Sequence, residues 1–142
     1  MTPYRSKTWA AWLALLFGAL GLHRFYLHGF RDVMGWLHPL PTALGVLGVQ
    51  RTISFGQDDR LAWLLIPLLG LMLSQAMLMA IIYGLTPDEK WDARHNAGLP
   101  GQATAWGPIF AVVLALLVGG AVLMGTIAFS GQRFFEWQLG AA

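Results

Sequence analysis

The chain has 142 residues, of which 11% are charged and 56% are apolar, whereas an average globular domain has about 25% charged and 45–50% apolar residues. Its uncharged runs cover residues 8–23, 33–50, 61–87 and 95–132, and two of them exceed the roughly 20 residues that cross a bilayer. A net charge of +2 without basic runs argues against a nucleic-acid partner, and the absence of cysteine excludes disulfides, thiolate catalysis and cysteine-based zinc sites. The composition predicts an all-α, polytopic helical membrane protein with about four transmembrane helices.

The first apolar segment, residues 8–22, is short for a membrane crossing. A helix of this length measures about 22 Å, and the hydrocarbon core is about 30 Å thick. We therefore predict that the helix continues and carries His23 and Arg24 to the far head-group layer, where Phe25 and Tyr26 contribute to an aromatic belt. No small-x-small cleavage site follows this run, so we expect it to be retained.

Polar residues after the first span allow two interpretations. If the helix continues past Gly21, then Arg24, His28 and Arg31 share one face, with Asp32 close by. This stripe could bind a lipid phosphate or an acidic partner. Alternatively, Arg24 or Arg31 pairs with Asp32 at a hairpin corner, and this is the interpretation that we favour.

The order of Lys7, Gly18 and Gly21, followed by the block Gly21-x-His23-Arg24-Phe25-Tyr26-x-x-Gly29 and a second apolar segment, resembles the TM-two domain family over about residues 5–50. The resemblance implies two transmembrane helices joined by a short loop. Animal members have proposed ligand-like or signalling roles, whereas small bacterial members mostly lack an assigned activity. The chain departs from the family at His23, where some members have an acidic residue, and it lacks a Trp-x-x-x-Asp ending to the second helix. The nearest acids are Asp58 and Asp59.

The resemblance further implies a multi-pass protein of a bacterial inner membrane. The motif residues are then expected to contact lipid or a partner. They are Gly21, His23, Arg24, Phe25, Tyr26, His28, Gly29, Arg31 and Asp32.

The second segment, residues 33–49, is interrupted at His38-Pro39-Leu40-Pro41. Proline removes an amide donor and disfavours helical geometry in the preceding residue. We predict a kinked crossing, with a re-entrant segment as the alternative, and we expect His38 to satisfy freed carbonyls rather than to bind a ligand. Residues 1–60, ending in a polar loop over 50–60, then form one helical hairpin.

The third span covers residues 61–85, with Pro67 as a possible kink and Gln75 near mid-bilayer. An amide at that depth is expected to bond to another helix. After a capping box at 86–89, a short helix over 87–95 is expected to lie on the membrane surface. Asp88, Asp92 and His95 share a face that could hold a metal, but we predict a solvated face or a partner-docking element instead.

The fourth span, residues 106–130, carries Gly107, Ala111, Ala115 and Gly119 in a row with a spacing of four, which is typical of close helix packing. Similar small-residue sets are Ala10, Ala14 and Gly18; Ala76, Ala80 and Gly84; and Ala121 and Gly125. Residues 61–142 then form a second hairpin, with an aromatic anchor in the tail. No internal repeat is evident, because the two halves share a hairpin plan but not their residues.

Four crossings would place both termini on one side, and the positive-inside rule weakly favours the cytoplasm. No spacing of histidines and acids matches a catalytic or metal signature, so we expect no enzyme activity, cofactor or metal. We predict a non-catalytic structural or interaction protein that packs as an accessory subunit or a homo-oligomer in the bilayer. The alternative is a small channel, transporter or lipid-binding protein.

Overall fold

The structure, a computed structural model, describes residues 3–141, and in this range all regular secondary structure is helical, as predicted. The helices are α1 (Lys7–Phe17), α2 (Leu22–His28), α3 (Val33–Leu37), α4 (Pro39–Phe55), α5 (Arg60–Leu85), α6 (Asp88–His95) and α7 (Gly107–Ala141), with a 3-10 turn at Gly18–Leu20 between α1 and α2.

Helix α5 is the central element, and α1, α4 and α7 pack around it. Its 26 residues measure roughly 39 Å. Both α5 and α7 are long and apolar enough to cross a membrane, and each contains an 18-residue stretch of high mean hydropathy, 2.2 in α5 and 2.5 in α7. We refer to the two ends of α5 as the Arg60 end, where it begins, and the Lys7 end, where Lys7 Nζ donates to the carbonyl of Thr86 at 2.9 Å.

The first helical segment reverses direction instead of crossing. Gly21 adopts the left-handed conformation (φ 79°), and α2 runs back along α1, so that the backbone N–H of Ser6 donates to the Tyr26 hydroxyl at 2.8 Å. The ring of His23 lies 5.8 Å from that of Tyr83, close to the Lys7 end. The prediction that this segment carries His23 and Arg24 to the opposite end is therefore wrong.

The reversed turn packs closely against a residue from outside the segment. The carbonyl of Gly35 lies against Gly21, where any Cβ would collide with it. Only glycine adopts the left-handed conformation without steric cost, and only glycine leaves room for this carbonyl. The turn reaches the level of Ala76, near the middle of α5, where Gly18 packs.

Helices α3 and α4 together connect the two ends of the bundle. They span residues 33–55, about 34 Å if straight, with the interruption at His38. Thr42 Oγ1 donates to the Ala19 carbonyl at 2.6 Å, which fixes the start of α4 against the 3-10 turn. Farther along, Gly45 packs on Leu69 of α5. Because α4 continues to Phe55, the predicted polar loop over 50–60 shrinks to a short connection.

The small-residue row of α7 lies inside the bundle. Ala111 and Ala115 are fully buried, Gly107 contacts Thr8 of α1, and Gly119 contacts Met77 of α5. The α7 row is therefore used within the chain. The second predicted pair differs, because Ala121 is exposed and open space surrounds Gly125.

A polar network closes the Lys7 end around α6. Lys7 Nζ donates to Asp88 Oδ1 at 2.5 Å, and the backbone N–H of Thr104 donates to Asp88 Oδ2 at 2.9 Å. The bonds from Lys7 and Thr104 lower the pKa of Asp88 to about 2. The predicted capping box is wrong, since Thr86 Oγ1 donates to the Ile82 carbonyl of α5 and Pro87 is the residue that precedes α6.

Candidate functional site

An arginine–aspartate corner joins α2 to α3 at the Lys7 end. Arg24 donates to both carboxylate oxygens of Asp32, at 2.6 Å from Nε and 3.3 Å from Nη2. The same carboxylate caps α3 by accepting from the backbone N–H of Met34 at 3.3 Å. The bond from Arg24 holds the pKa of Asp32 below its usual range. This is the corner pairing that the sequence favoured over a free cationic stripe.

A second corner of the same construction joins α4 to α5 at the Arg60 end. Arg51 donates to Asp59 at 2.6 and 3.2 Å, and Asp59 caps α5 through the backbone N–H of Leu61 at 3.2 Å. The turn glycines Gly29 and Gly56 both have positive φ, of 82° and 89°.

In each corner a tryptophan indole donates to the backbone carbonyl two residues before the aspartate. Trp36 donates to Phe30 at 2.8 Å, and Trp63 donates to Gln57 at 2.6 Å. The spacing Arg-x4-Gly-x2-Asp-x3-Trp thus occurs at 24–36 and again at 51–63. This local motif was not predicted, and because both copies lie within residues 24–63 it does not relate the two halves that were compared above. The shared spacing of Arg, Gly, Asp and Trp could have revealed the second corner from the sequence. It is hard to recognise because the residues between these four positions differ.

A buried histidine and a half-buried one lie behind the first corner, next to the helix interruption at His38. His23 is fully buried, and its ring centroid is 5.5 Å from that of His38. His38 Nδ1 lies 2.6 Å from the Met34 carbonyl, so that nitrogen carries the proton and Nε2 is left as an acceptor. Within residues 3–141, His38 Nε2 and both ring nitrogens of His23 have no hydrogen-bond partner. The pair can accept or donate hydrogen bonds to a small polar ligand.

The predicted stripe of Arg24, His28 and Arg31 does not form. Gly29 ends α2, so Arg31 lies outside the helix and is exposed, and Asp32 occupies the guanidinium of Arg24. His28 is exposed instead, with its ring 6.4 Å from that of His95. Desolvation, with a smaller contribution from His28, lowers the pKa of His95.

The aromatic residues of the motif pack within the chain. Phe25 lies against Gly35, where a Cβ would collide with its ring, and its centroid is 5.1 Å from that of Trp36. Tyr26 has the guanidinium of Arg5 5.4 Å from its ring centroid.

The sequence analysis also singled out Asp92 as a metal-ligand candidate and Gln75 as a residue that bonds to another helix. Asp92 accepts from the hydroxyl of Tyr4 and from Asn96 Nδ2, both at 2.7 Å, and desolvation together with the Asp92 bond raises the pKa of Tyr4 to about 12. No group of three or more metal-binding side chains occurs in the described part of the chain.

Gln75 Oε1 is buried without a partner among the described residues, so the expected interhelical bond from this atom is not made.

No family model, curated protein or solved structure matches this chain.

Proposed function

We propose that the protein is a multi-pass membrane protein with three crossings, namely α3–α4, α5 and α7, and one half-membrane hairpin formed by α1 and α2. Exposed tryptophans near both ends support this arrangement, because tryptophan is enriched at membrane interfaces. Trp9, Trp36 and Trp106 lie near the Lys7 end and are at least 60% exposed, and Trp137 lies near the Arg60 end with 51% exposure. Asp32 caps α3 at the Lys7 end and Asp59 caps α5 at the Arg60 end, so both ends also carry charged helix caps.

The distribution of basic residues supports an orientation with the Lys7 end in the cytoplasm. Because the hairpin turns back, Arg24 and Arg31 lie on the side of the N-terminal segment, contrary to a four-crossing arrangement. Six of the nine basic residues are then at the Lys7 end and three at the Arg60 end, which are Arg51, Arg60 and Arg133. The positive-inside rule favours the side with the larger number.

The role that the geometry supports best is non-catalytic, as a packing subunit within the membrane. The observation that carries it is that, within residues 3–141, five of the seven acids accept hydrogen bonds from the chain's own donors, all except Asp58 and Glu89. The five are Asp32, Asp59, Asp88, Asp92 and Glu136. Carboxylates held in this way act as structural ligands, and their lowered pKa values keep them ionised rather than ready to accept a proton.

The outward face of α7 is the surface that we propose for a second copy of the chain or a larger membrane partner. Leu117 and Met124 are 68% and 69% exposed, and open space surrounds Gly120 between them. A glycine on an apolar helix face allows another helix to approach closely.

The mass of the particle in lipid nanodiscs, prepared without detergent, tests this role. We expect a homo-oligomer or a stoichiometric complex, which Gly120→Leu disrupts. Gly140→Leu is the matched control, because it also lies in open space on α7 but points about 200° away from Gly120 around the helix. A single chain without a partner would contradict the proposal.

A second candidate function, transport of a proton or small polar solute, is favoured by the His23–His38 pair. Transporters place polar sites at interrupted helices, and buried polar atoms without hydrogen-bond partners, such as those of His23, are uncommon in proteins. Flux into proteoliposomes that is lost in His38→Ala supports this candidate. No flux from folded protein excludes it.

We also retain as proposals the membership of residues 5–50 in the TM-two family and the location in a bacterial inner membrane. The half-membrane hairpin differs from the two crossing helices that the family implies, so an experimental topology would test this membership as well.

A further inference from the structure

An open cavity of about 570 Å³ lies at the Arg60 end, between the start of α5 and the last turns of α7. This volume falls within the range of small-molecule sites. Its lining combines cations with aromatic and apolar side chains: Arg60, Trp63, Leu64, Pro67, Ser130, Arg133, Phe134 and Trp137.

Arg133 is held rigidly in this cavity. Its guanidinium carbon lies 5.0 Å from the ring centroid of Trp63 and 5.3 Å from that of Phe129. One terminal nitrogen donates to Glu136, and the buried Nε has no partner in the described range. The guanidinium has further donors besides the nitrogen bonded to Glu136 and the enclosed Nε, and such a planar group is suited to bind a phosphate oxygen.

Arg60 adds a second cation on the opposite wall. Its side chain is exposed, and it forms no salt bridge with any residue between 3 and 141. The cavity therefore offers two guanidinium groups, with Glu136 as the acid paired to one of them. The remaining charge is positive and complementary to a single phosphate diester.

A narrower apolar cavity of about 260 Å³ continues from the first and shares Pro67 with it. It follows α7 from Phe129 to Val122, and Gly125 lies in its wall with open space where a side chain would be. From Arg133 to Val122 the groove follows α7 for roughly 16 Å, about half of the 30 Å hydrocarbon core. The groove thus matches the depth of one leaflet.

We infer that this groove is an intrinsic site for one anionic phospholipid, whose phosphate lies between Arg60 and Arg133 and whose acyl chain follows the groove past Gly125. The inference depends on the membrane location proposed above. Aromatic side chains at the rim suit the head-group level, and the two guanidinium groups there can donate hydrogen bonds to a lipid phosphate.

The test is native mass spectrometry of the full chain released from nanodiscs of phosphatidylglycerol and phosphatidylcholine in equal amounts. We expect one retained phosphatidylglycerol per chain, in preference to phosphatidylcholine. Arg60→Gln is expected to reduce its retention about fivefold, while Arg31→Gln, an exposed cation at the other end, leaves it unchanged. Gly125→Leu fills the groove and is expected to abolish retention. Gly120→Leu, on the outward face of α7, preserves it.

Equal retention of both lipids, or an unchanged signal in Gly125→Leu, would show only nonspecific lipid around the protein and overturn the inference. Displacement by millimolar inorganic phosphate would indicate an anion site without a lipid requirement, and this also overturns it. A second protein chain retained on the groove in place of lipid contradicts it too. If the protein is not recovered with membranes at all, the membrane proposal fails; if it is recovered there without bound lipid, only the lipid site fails.

Discussion

Replacement of Gly48 by alanine tests whether α4 packs along α5 and so completes a membrane crossing. A Cβ at this position would lie 2.7 Å from Leu65 Cβ and 2.8 Å from the backbone nitrogen of Ile66. Both atoms belong to rigid parts of α5, so the helices must separate to admit the methyl group. Overpacking of this kind costs about 1–3 kcal/mol, whereas Gly→Ala within a helix gains up to about 1 kcal/mol. We therefore expect Gly48→Ala to lower the free energy of unfolding by up to about 2 kcal/mol, whereas a substitution without overpacking would raise it.

The control is Gly131→Ala in α7, where nothing lies within 4 Å of the added Cβ, so that only the gain in helix propensity remains. Unfolding is followed by tryptophan fluorescence as sodium dodecyl sulfate is titrated into dodecyl maltoside micelles, using the seven native tryptophans. If Gly48→Ala is as stable as Gly131→Ala, then α4 does not approach α5 at this point. The proposed membrane crossing by α3–α4 would then lose its support.

Three further outcomes follow from the polar contacts. Because the folded-state pKa of Asp88 is about 2, below its ordinary 3.8, its contribution to stability is complete above about pH 4 and is lost as the pH falls toward 2; Asp88→Asn should flatten this acid limb in unfolding curves. Arg24→Gln, which leaves a corner carboxylate without its partner, should reduce the yield of assembled protein in membranes more than Arg31→Gln does, and equal yields would contradict the organising role of the corner. Single cysteines introduced at Pro3 and Phe30 into this cysteine-free chain should react with an impermeant maleimide from the same side of the membrane, whereas opposite sides would restore a crossing by the first segment.

Much of the helical plan could be predicted from the sequence because it depends on local properties. The third span and the surface helix were placed within one residue of α5 and α6, since uncharged runs and turn residues determine where a helix begins and ends. The start of α7 follows for the same reason. Its end was missed, since α7 continues through the tail to Ala141.

The candidate site was predicted in composition but not in arrangement. The sequence identified Arg24 and Asp32 as possible partners at a corner, and they do pair. It did not identify the equivalent Arg51–Asp59 pair, because Arg51 was assigned to a loop rather than to the last turns of α4. The cavity between α5 and α7 was missed as well, because Arg60 and Arg133 are 73 positions apart and line the same cavity only through the packing of α5 on α7.

The sequence by itself determined that this chain is helical and that it has two helices long and apolar enough to cross a membrane. It also determined which helix faces carry the small residues that allow close packing. Only the tertiary structure decided the direction of the first segment. Gly21 is compatible both with a continuing helix and with a reversal, and the reversed turn is held by residues from outside the segment, through the Gly35 carbonyl packed against Gly21 and the hydrogen bond from Thr42 to Ala19. Because these contacts join residues from separate helices, their free energy is absent from any local sequence pattern, yet they decide at which end of the bundle Arg24 lies.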